Sequence, residues 1–229
     1  MRMPRQSNAG SARLPGRLLP RSFFERAPEI VAPLLLGKLL VRKVMGRKTP
    51  MMARIVEVEA YLGPDHATPD PAAHAHRGPT PRNAVLFGPA GHAYVYSIYG
   101  QYFCMNISCE AEGRAGCVLL RALEPLAGLE RMARNRGLDA DSAPEMLTSG
   151  PSRLCQALDI TRAAHNGVDL LALAAPLQVR DDGFRVTECL ATPRIGIRHA
   201  VELPLRFHLE GHRCVSGPRR LAGRRVLIG

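Results

Sequence analysis

The segment from Arg54 to Leu62 alternates, and the alternation predicts a strand with Ile55, Glu57, Glu59 and Tyr61 on one face and Val56, Val58, Ala60 and Leu62 on the other. Two carboxylates two residues apart on a strand lie about 6.5–7 Å apart. At that spacing they can form a general acid/base pair, hold a metal ion, or sit on a solvated face. The apolar strand favours chemistry for one of them, because a glutamate stripped of water becomes a stronger base. Arg121 stands in the otherwise apolar run Cys117 to Leu123, and a buried guanidinium needs a partner. Glu57, Glu59, a backbone carbonyl and a ligand phosphate are the candidates, with structural pairing the first choice.

All five tyrosines, Tyr61, Tyr94, Tyr96, Tyr99 and Tyr102, fall between positions 61 and 102, and the chain has no tryptophan. Any one of them suits a strand that packs between sheet and solvent. As a set beside Arg77 and Arg82, they suit stacking on unpaired bases. His66, His74 and His76 share the same region, but His-x-His without a nearby cysteine or carboxylate is a weak metal pattern. One histidine donating to a phosphate or a base edge is the simpler reading. The three lysines, Lys38, Lys43 and Lys48, lie outside residues 53–123, which disfavours Schiff-base chemistry and favours water as nucleophile. Phosphate-loop, nucleophile-elbow and dinucleotide-binding signatures are absent from the sequence.

These residues need rigid positions, and the pattern along the chain indicates what supplies them. Strands are expected over Leu39–Val44, Arg54–Leu62, Ala93–Tyr99, Tyr102–Ser108 and Cys117–Leu123, with a tight hairpin turn at Gly100-Gln101. Helices are expected over Leu126–Arg136 and Pro151–Leu158. Ser22-Phe23-Phe24-Glu25 has capping-box spacing ahead of a short helical stretch that Pro28 and Pro33 should keep broken. The long polar stretch 63–92 reads as a functional loop. The expected fold is α+β, a single domain with a curved, mainly antiparallel sheet, peripheral helices and a protruding β-hairpin.

The formal charge of +11 on 229 residues, 46% of them hydrophobic, describes a chain with a core and a polyanionic partner. That charge sits at the ends. Arg2, Arg5, Arg13, Arg17 and Arg21 come before residue 22, and Arg213, Arg219, Arg220, Arg224 and Arg225 come after residue 212, with no acid in either stretch. Residues 22–212 are close to neutral. Residues 1–20 are expected to form a flexible Arg-rich arm and 21–229 the functional domain, with the ends supplying salt-dependent attraction to phosphates. Six scattered cysteines without a C-x-x-C pair indicate a reduced, cytoplasmic protein. The longest apolar run is too short to span a bilayer.

Several stretches together resemble the alkyladenine (3-methyladenine) DNA glycosylase family, in its bacterial form. They are Glu57-Val58-Glu59-Ala60-Tyr61-Leu62-Gly63-Pro64, Thr80-Pro81-Arg82-Asn83, Gly91-His92-Ala93-Tyr94-Val95-Tyr96-Ser97-Ile98-Tyr99-Gly100, Cys104-Met105-Asn106, Leu120-Arg121-Ala122-Leu123-Glu124-Pro125 and Gly150-Pro151-Ser152-Arg153-Leu154. The resemblance runs in order from about Ser22 to Ser216. It implies a monofunctional base-excision repair enzyme acting on double-stranded DNA that contains damaged purines, with no cofactor, no metal and no membrane, monomeric and cytoplasmic at the bacterial nucleoid. It also implies roles: Glu59 activates water, Tyr61, His74, Tyr96 and Asn106 form the base pocket, Tyr99 intercalates, and Arg121 and Arg82 support the site or the DNA. The loop Pro64 to Pro71 is longer than in many relatives, so the match at His74 is looser than the others.

Two other classes follow from the same residues. One is a non-catalytic nucleic-acid-binding protein using the aromatic hairpin, which binds without releasing a base. The other is a metal-dependent nuclease using Glu57, Glu59 and the loop histidines, which a chelator would inactivate.

Overall fold

The computed structural model describes residues 14–47, 49–217 and 223–228. The chain runs β1 (Arg17–Leu18), α1 (Arg21–Phe24), α2 (Pro28–Leu35), β2 (Leu39–Arg42), β3 (Met51–Tyr61), β4 (Ala93–Ile98), β5 (Tyr102–Ser108) and β6 (Cys117–Ala127). It continues through α3 (Leu129–Arg136), α4 (Pro144–Thr148), α5 (Pro151–Ala157), α6 (Arg162–His165), β7 (Leu177–Asp181), β8 (Glu188–Thr192), β9 (Arg206–His208) and β10 (Arg224–Leu227). The described strands pair antiparallel in the order β1-β7-β2-β3-β6-β5-β4, and a branch of β9, β8 and β10 joins at β3. The result is the expected α+β domain, a curled antiparallel sheet with helices around it.

β3 organises the sheet. One edge pairs with β6, while the other pairs with β2 over Met51–Arg54 and then with β9 over Glu57–Glu59. At that changeover the ladder with β6 is irregular: Ile55 faces Leu123, Glu57 faces Ala122 and Val58 faces Leu120. Val56 is therefore an extra residue on β3, and Arg121 an extra residue on β6. Bulges bend a strand and re-aim its side chains. Here they invert the alternation, so that Met51, Ala53 and Ile55 before the bulge and Val58, Ala60 and Leu62 after it all enter the main core. Val56 and Ala122 join a separate small cluster with Cys214. The expected face of Ile55, Glu57, Glu59 and Tyr61 is thus corrected at Ile55, which lies on the core side because one inserted residue reverses the side-chain period.

Phe24, Val31, Leu35 and Leu154 close the main core against the sheet, and burial of each such side chain contributes about 1.5–3 kcal/mol. Packing also overrides local signals. The capping box does not form, since α1 starts at Arg21 behind Pro20 without a side-chain cap. Nor does Pro33 break the chain: α2 runs through it to Leu35, with Pro28 at its first turn. The burial of Val31, Ala32 and Leu35 offsets the one amide that Pro33 removes. The helix expected from Leu126 begins at Leu129, because Glu124, Pro125 and Ala127 remain paired to Arg54, Ala53 and Met52. α5 starts at Pro151 as expected.

Arg2, Arg5 and Arg13 of the expected arm, and Arg219 and Arg220, lie outside the described residues. The C-terminal part of the arm is tied down, with Arg17 and Leu18 paired to Asp181 and Arg180 of β7 and Leu19 in the core. The six cysteines are buried and unpaired. No described helix is long and apolar enough to cross a membrane.

Candidate active site

β3 and β6 run beneath a cavity of about 560 Å³, within the size range of small-ligand sites. Tyr61, His74, Arg82, Tyr96, Tyr99, Asn106 and Arg121 all line it, so the fold brings together every expected site residue except Glu59. That glutamate lies just under the cavity floor, fully buried. Its Oε1 accepts from the Ile195 backbone N–H at 2.8 Å and meets Arg121 Nη1 at 3.2 Å. The Tyr61 hydroxyl donates to Oε2 at 2.9 Å. A carboxylate has about four acceptor positions, two per oxygen, so these partners fill Oε1 and leave one position on Oε2.

The bulge explains how one arginine serves two carboxylates. As the inserted residue of β6, Arg121 is aimed at both glutamates, with Nε donating to Glu57 Oε1 at 3.0 Å. Arg206 Nε reaches the same oxygen at 2.7 Å, and the Ser216 N–H donates to Glu57 Oε2 at 2.6 Å. Burial alone would push the Glu57 carboxyl up, but Arg121, Arg206 and the Ser216 amide together hold it below its ordinary value. The Arg121 guanidinium in turn is held above its ordinary value, the two glutamates overcoming its burial. Each glutamate thus has three partners, two on Oε1 and one on Oε2, and the two separate by place: Tyr61, Arg121 and Ile195 around Glu59 all line the cavity, whereas Arg206 and Ser216 around Glu57 do not.

The walls are aromatic. Tyr94 and Tyr96 stack with ring centroids 5.6 Å apart, and His74 meets Tyr96 edge-on at 4.6 Å. His74 Nδ1 is 3.0 Å from the Tyr94 hydroxyl. Desolvation of the ring and the nearby Arg82 charge lower the His74 pKa, which keeps the imidazole neutral. Arg82 lies over the Tyr96 ring at 5.8 Å. Its neighbour Asn83 secures the loop, donating to the His74 carbonyl at 2.9 Å and the Gly78 carbonyl at 3.1 Å. The loop can leave β3 sharply because residue 63 is glycine; a Cβ there would lie 1.6 Å from the Ala115 carbonyl oxygen. Burial pushes the Cys117 thiol up to about 12, and as a neutral donor it reaches Asn106 Oδ1 at 3.5 Å. Asn106 Nδ2 donates to the Tyr94 carbonyl at 3.4 Å.

Tyr99 stands at the mouth. β4 and β5 pair up to Ile98 and Tyr102, leaving Tyr99, Gly100 and Gln101 as a three-residue turn, one longer than expected. Tyr99 has φ 49° and Gly100 φ 73°. The left-handed conformation costs a tyrosine about 1–2 kcal/mol, and its side chain remains 91% exposed.

Sequence reasoning missed the layer behind these walls. Arg194 forms a two-pronged pair with Asp70, both contacts 2.7 Å, and both side chains are fully buried. Its guanidinium lies 4.5 Å from the centre of the Tyr61 ring, and the next residue, Ile195, donates to Glu59. Arg206 supports Glu57. The signal that singled out Arg121, a charge in an apolar strand, is also present at Arg206 in Leu-Pro-Leu-Arg-Phe. Of the loop histidines only His74 lines the cavity; His66 pairs with Glu29 at 2.9 Å. Among the described residues no group of three His, Cys, Asp or Glu side chains could hold a metal ion. The acceptor atoms of Glu57 and Glu59 face arginines and N–H groups, the opposite of a cation-binding arrangement.

The profile of the family described as Methylpurine-DNA glycosylase (MPG) matches residues 22–213. A Koribacter versatilis protein provisionally named 3-methyladenine DNA glycosylase is 52% identical over 219 residues, covering 96% of this chain and 100% of the relative. Proteins with the same provisional name are 48% identical in Burkholderia lata, covering 90% of this chain and 94% of the relative, and in Methanoculleus marisnigri, covering 86% and 98%.

Proposed function

The chain belongs to the methylpurine-DNA glycosylase family, and from that premise we propose that it removes alkylated and deaminated purines from duplex DNA by hydrolysis, with water activated by Glu59. The proposed substrates are 3-methyladenine, 7-methylguanine, hypoxanthine and ethenoadenine. The observation that carries the reading is the place of Glu59: its partners Tyr61, Arg121 and Ile195 all line the aromatic cavity, and its Oε2 keeps one acceptor position beside it.

A base inside a duplex is out of reach, so the nucleotide must be turned out of the stack at a cost of a few kcal/mol, least for damaged pairs. Tyr99, exposed at the hairpin turn, fills the gap. The extruded base enters between Tyr61 and Tyr96, where a purine cationic from ring alkylation gains cation–π attraction that a normal base lacks. Asn106 screens the purine edge, and guanine's exocyclic amine is the group it opposes. A water molecule bound to Glu59 Oε2 gives its proton to that oxygen as its own oxygen bonds to C1′. The glycosidic C1′–N bond breaks, and its electron pair leaves with the base. Glu59 also provides negative charge near the positive charge that builds on the sugar. The bond network from Arg121, Ile195 and Tyr61 holds Glu59 in place for this, and the phosphodiester backbone is left intact. The enzyme acts as a monomer, in the cytoplasm where the chromosome is.

The test is Glu59→Gln on duplexes with one hypoxanthine or one 3-methyladenine. Excision should fall by about 10²–10⁴-fold, with lesion binding retained; substantial remaining excision refutes Glu59 as the base. Tight lesion binding by the unaltered protein with no abasic product would instead favour a non-catalytic binding module.

A further inference from the structure

The Asp70–Arg194 pair occupies an unusual place. Tyr61 lines the cavity and Arg194 does not, so the guanidinium, 4.5 Å from the ring centre, lies behind the ring. A base stacked on Tyr61 would have this cation on the far side of the ring. A buried charge is weakly screened, and at the low effective dielectric of a protein interior its field acts across an aromatic ring. Unneutralised, Arg194 would repel a cationic purine and leave a neutral one unaffected. Asp70 prevents this, because its two oxygens each meet one guanidinium nitrogen at 2.7 Å with both side chains out of contact with water. The other arginine on the aromatic walls, Arg82 over Tyr96, is exposed to solvent, and solvent ions screen it. Arg121 on the floor is neutralised by Glu57 and Glu59.

We propose that Asp70 determines the preference of the pocket for cationic over neutral purines by cancelling the Arg194 charge behind Tyr61. This rests on the reading of Tyr61 as a stacking face for the extruded base. Asp70 is a positioning and tuning residue, without contact to the substrate.

The experiment compares single-turnover excision of 7-methylguanine, a cation, with that of hypoxanthine, which is neutral, on the same protein preparation. The ratio of the two rates cancels any loss of folded enzyme. Asp70→Asn exposes the Arg194 charge, and the ratio of 7-methylguanine to hypoxanthine excision should fall about tenfold. Arg194→Gln leaves the Asp70 carboxylate unopposed and should move the ratio in the opposite direction; if Asp70→Asn does not fold, this variant carries the test alone. Parallel losses on both lesions, leaving the ratio unchanged, would make the pair purely structural and overturn the inference. Unaltered protein that releases neither base would overturn the glycosylase reading, and the inference with it.

Discussion

The floor and the rim of the cavity follow opposite construction rules. On the floor, Glu57, Glu59, Arg121 and Arg206 are all buried and held by hydrogen bonds of 2.6–3.0 Å and by the Arg121–Glu59 ion pair at 3.2 Å. At the rim, Tyr99 and Arg82 face solvent, the first from a strained turn. A group that must keep its distance to a breaking bond needs neighbours that leave it no other arrangement. A group that meets a DNA duplex needs an exposed face whose contacts form only on binding. The floor should therefore control chemistry and stability, and the rim affinity.

The largest effect expected is the loss of excision in Glu59→Gln, with binding and fold retained. Arg206→Met tests the floor as structure: it leaves Glu57 short of one of its two guanidinium partners, at a cost of about 3–5 kcal/mol of unfolding free energy in urea titrations. A loss below 1 kcal/mol would mean that Arg121 alone suffices to hold the buried carboxylate. Tyr99→Ser tests the rim. Affinity for lesion duplex should fall by about 1–3 kcal/mol, the range of one stacking contact, with the melting temperature unchanged. A drop in melting temperature instead would assign Tyr99 to the fold and erase the distinction.

A smaller effect involves the buried histidines His165 and His208, both held below their ordinary 6.5, chiefly by burial, with the Arg42 and Arg206 charges assisting. Below pH 6.5 the unfolded chain binds protons that the native state refuses. The stability these rings contribute is thus present above pH 6.5 and lost as pH falls, by at most about 1.4 kcal/mol per pH unit for each ring. Glu57, depressed from 4.5, adds the same sense of change below that value. Denaturant midpoints measured between pH 7.5 and 5.5 should fall, and His208→Phe should flatten the slope; a flat profile in the parent protein would contradict it.

The smallest effect belongs to the chain ends. Four of their arginines already face carboxylates: Arg17 with Asp181 at 3.9 Å, Arg21 with Asp169 at 2.8 Å, Arg213 with Glu145 at 2.6 Å and Arg225 with Glu210 at 2.7 Å. The charge that sequence arithmetic assigns to phosphate attraction is thus partly neutralised within the molecule. Deleting residues 1–13, which carry three arginines, should lower the salt slope of DNA affinity by at most about three units and leave excision at low salt intact. Abolished excision would show that the ends take part in chemistry after all.

The local pattern alone placed the central strands, the hairpin and the α5 start, because period-two hydrophobicity and a proline at a first helical turn are short-range signals. It also identified the pair Glu57 and Glu59, and Arg121, as residues in unusual settings. Arg206 carried the same signal in an apolar run, but Asp70 and Arg194 stayed hidden in polar or mixed stretches, where a charge looks solvated until distant strands close over it.

Residue order by itself determined which groups were available: a carboxylate pair on one strand, a cluster of tyrosines, and an arginine where an apolar strand should have none. Tertiary structure decided between the carboxylates. Opposed insertions at Val56 and Arg121 move Ile55 into the core and bring one guanidinium to both glutamates, while Ser216 and Arg206, more than 140 residues away in sequence, occupy Glu57. Each glutamate has three partners for four acceptor positions, but only those of Glu59, namely Ile195, Arg121 and Tyr61, all line the cavity. Which carboxylate is held beside the cavity depends on contacts between segments far apart in the chain, and no spacing along one strand encodes that.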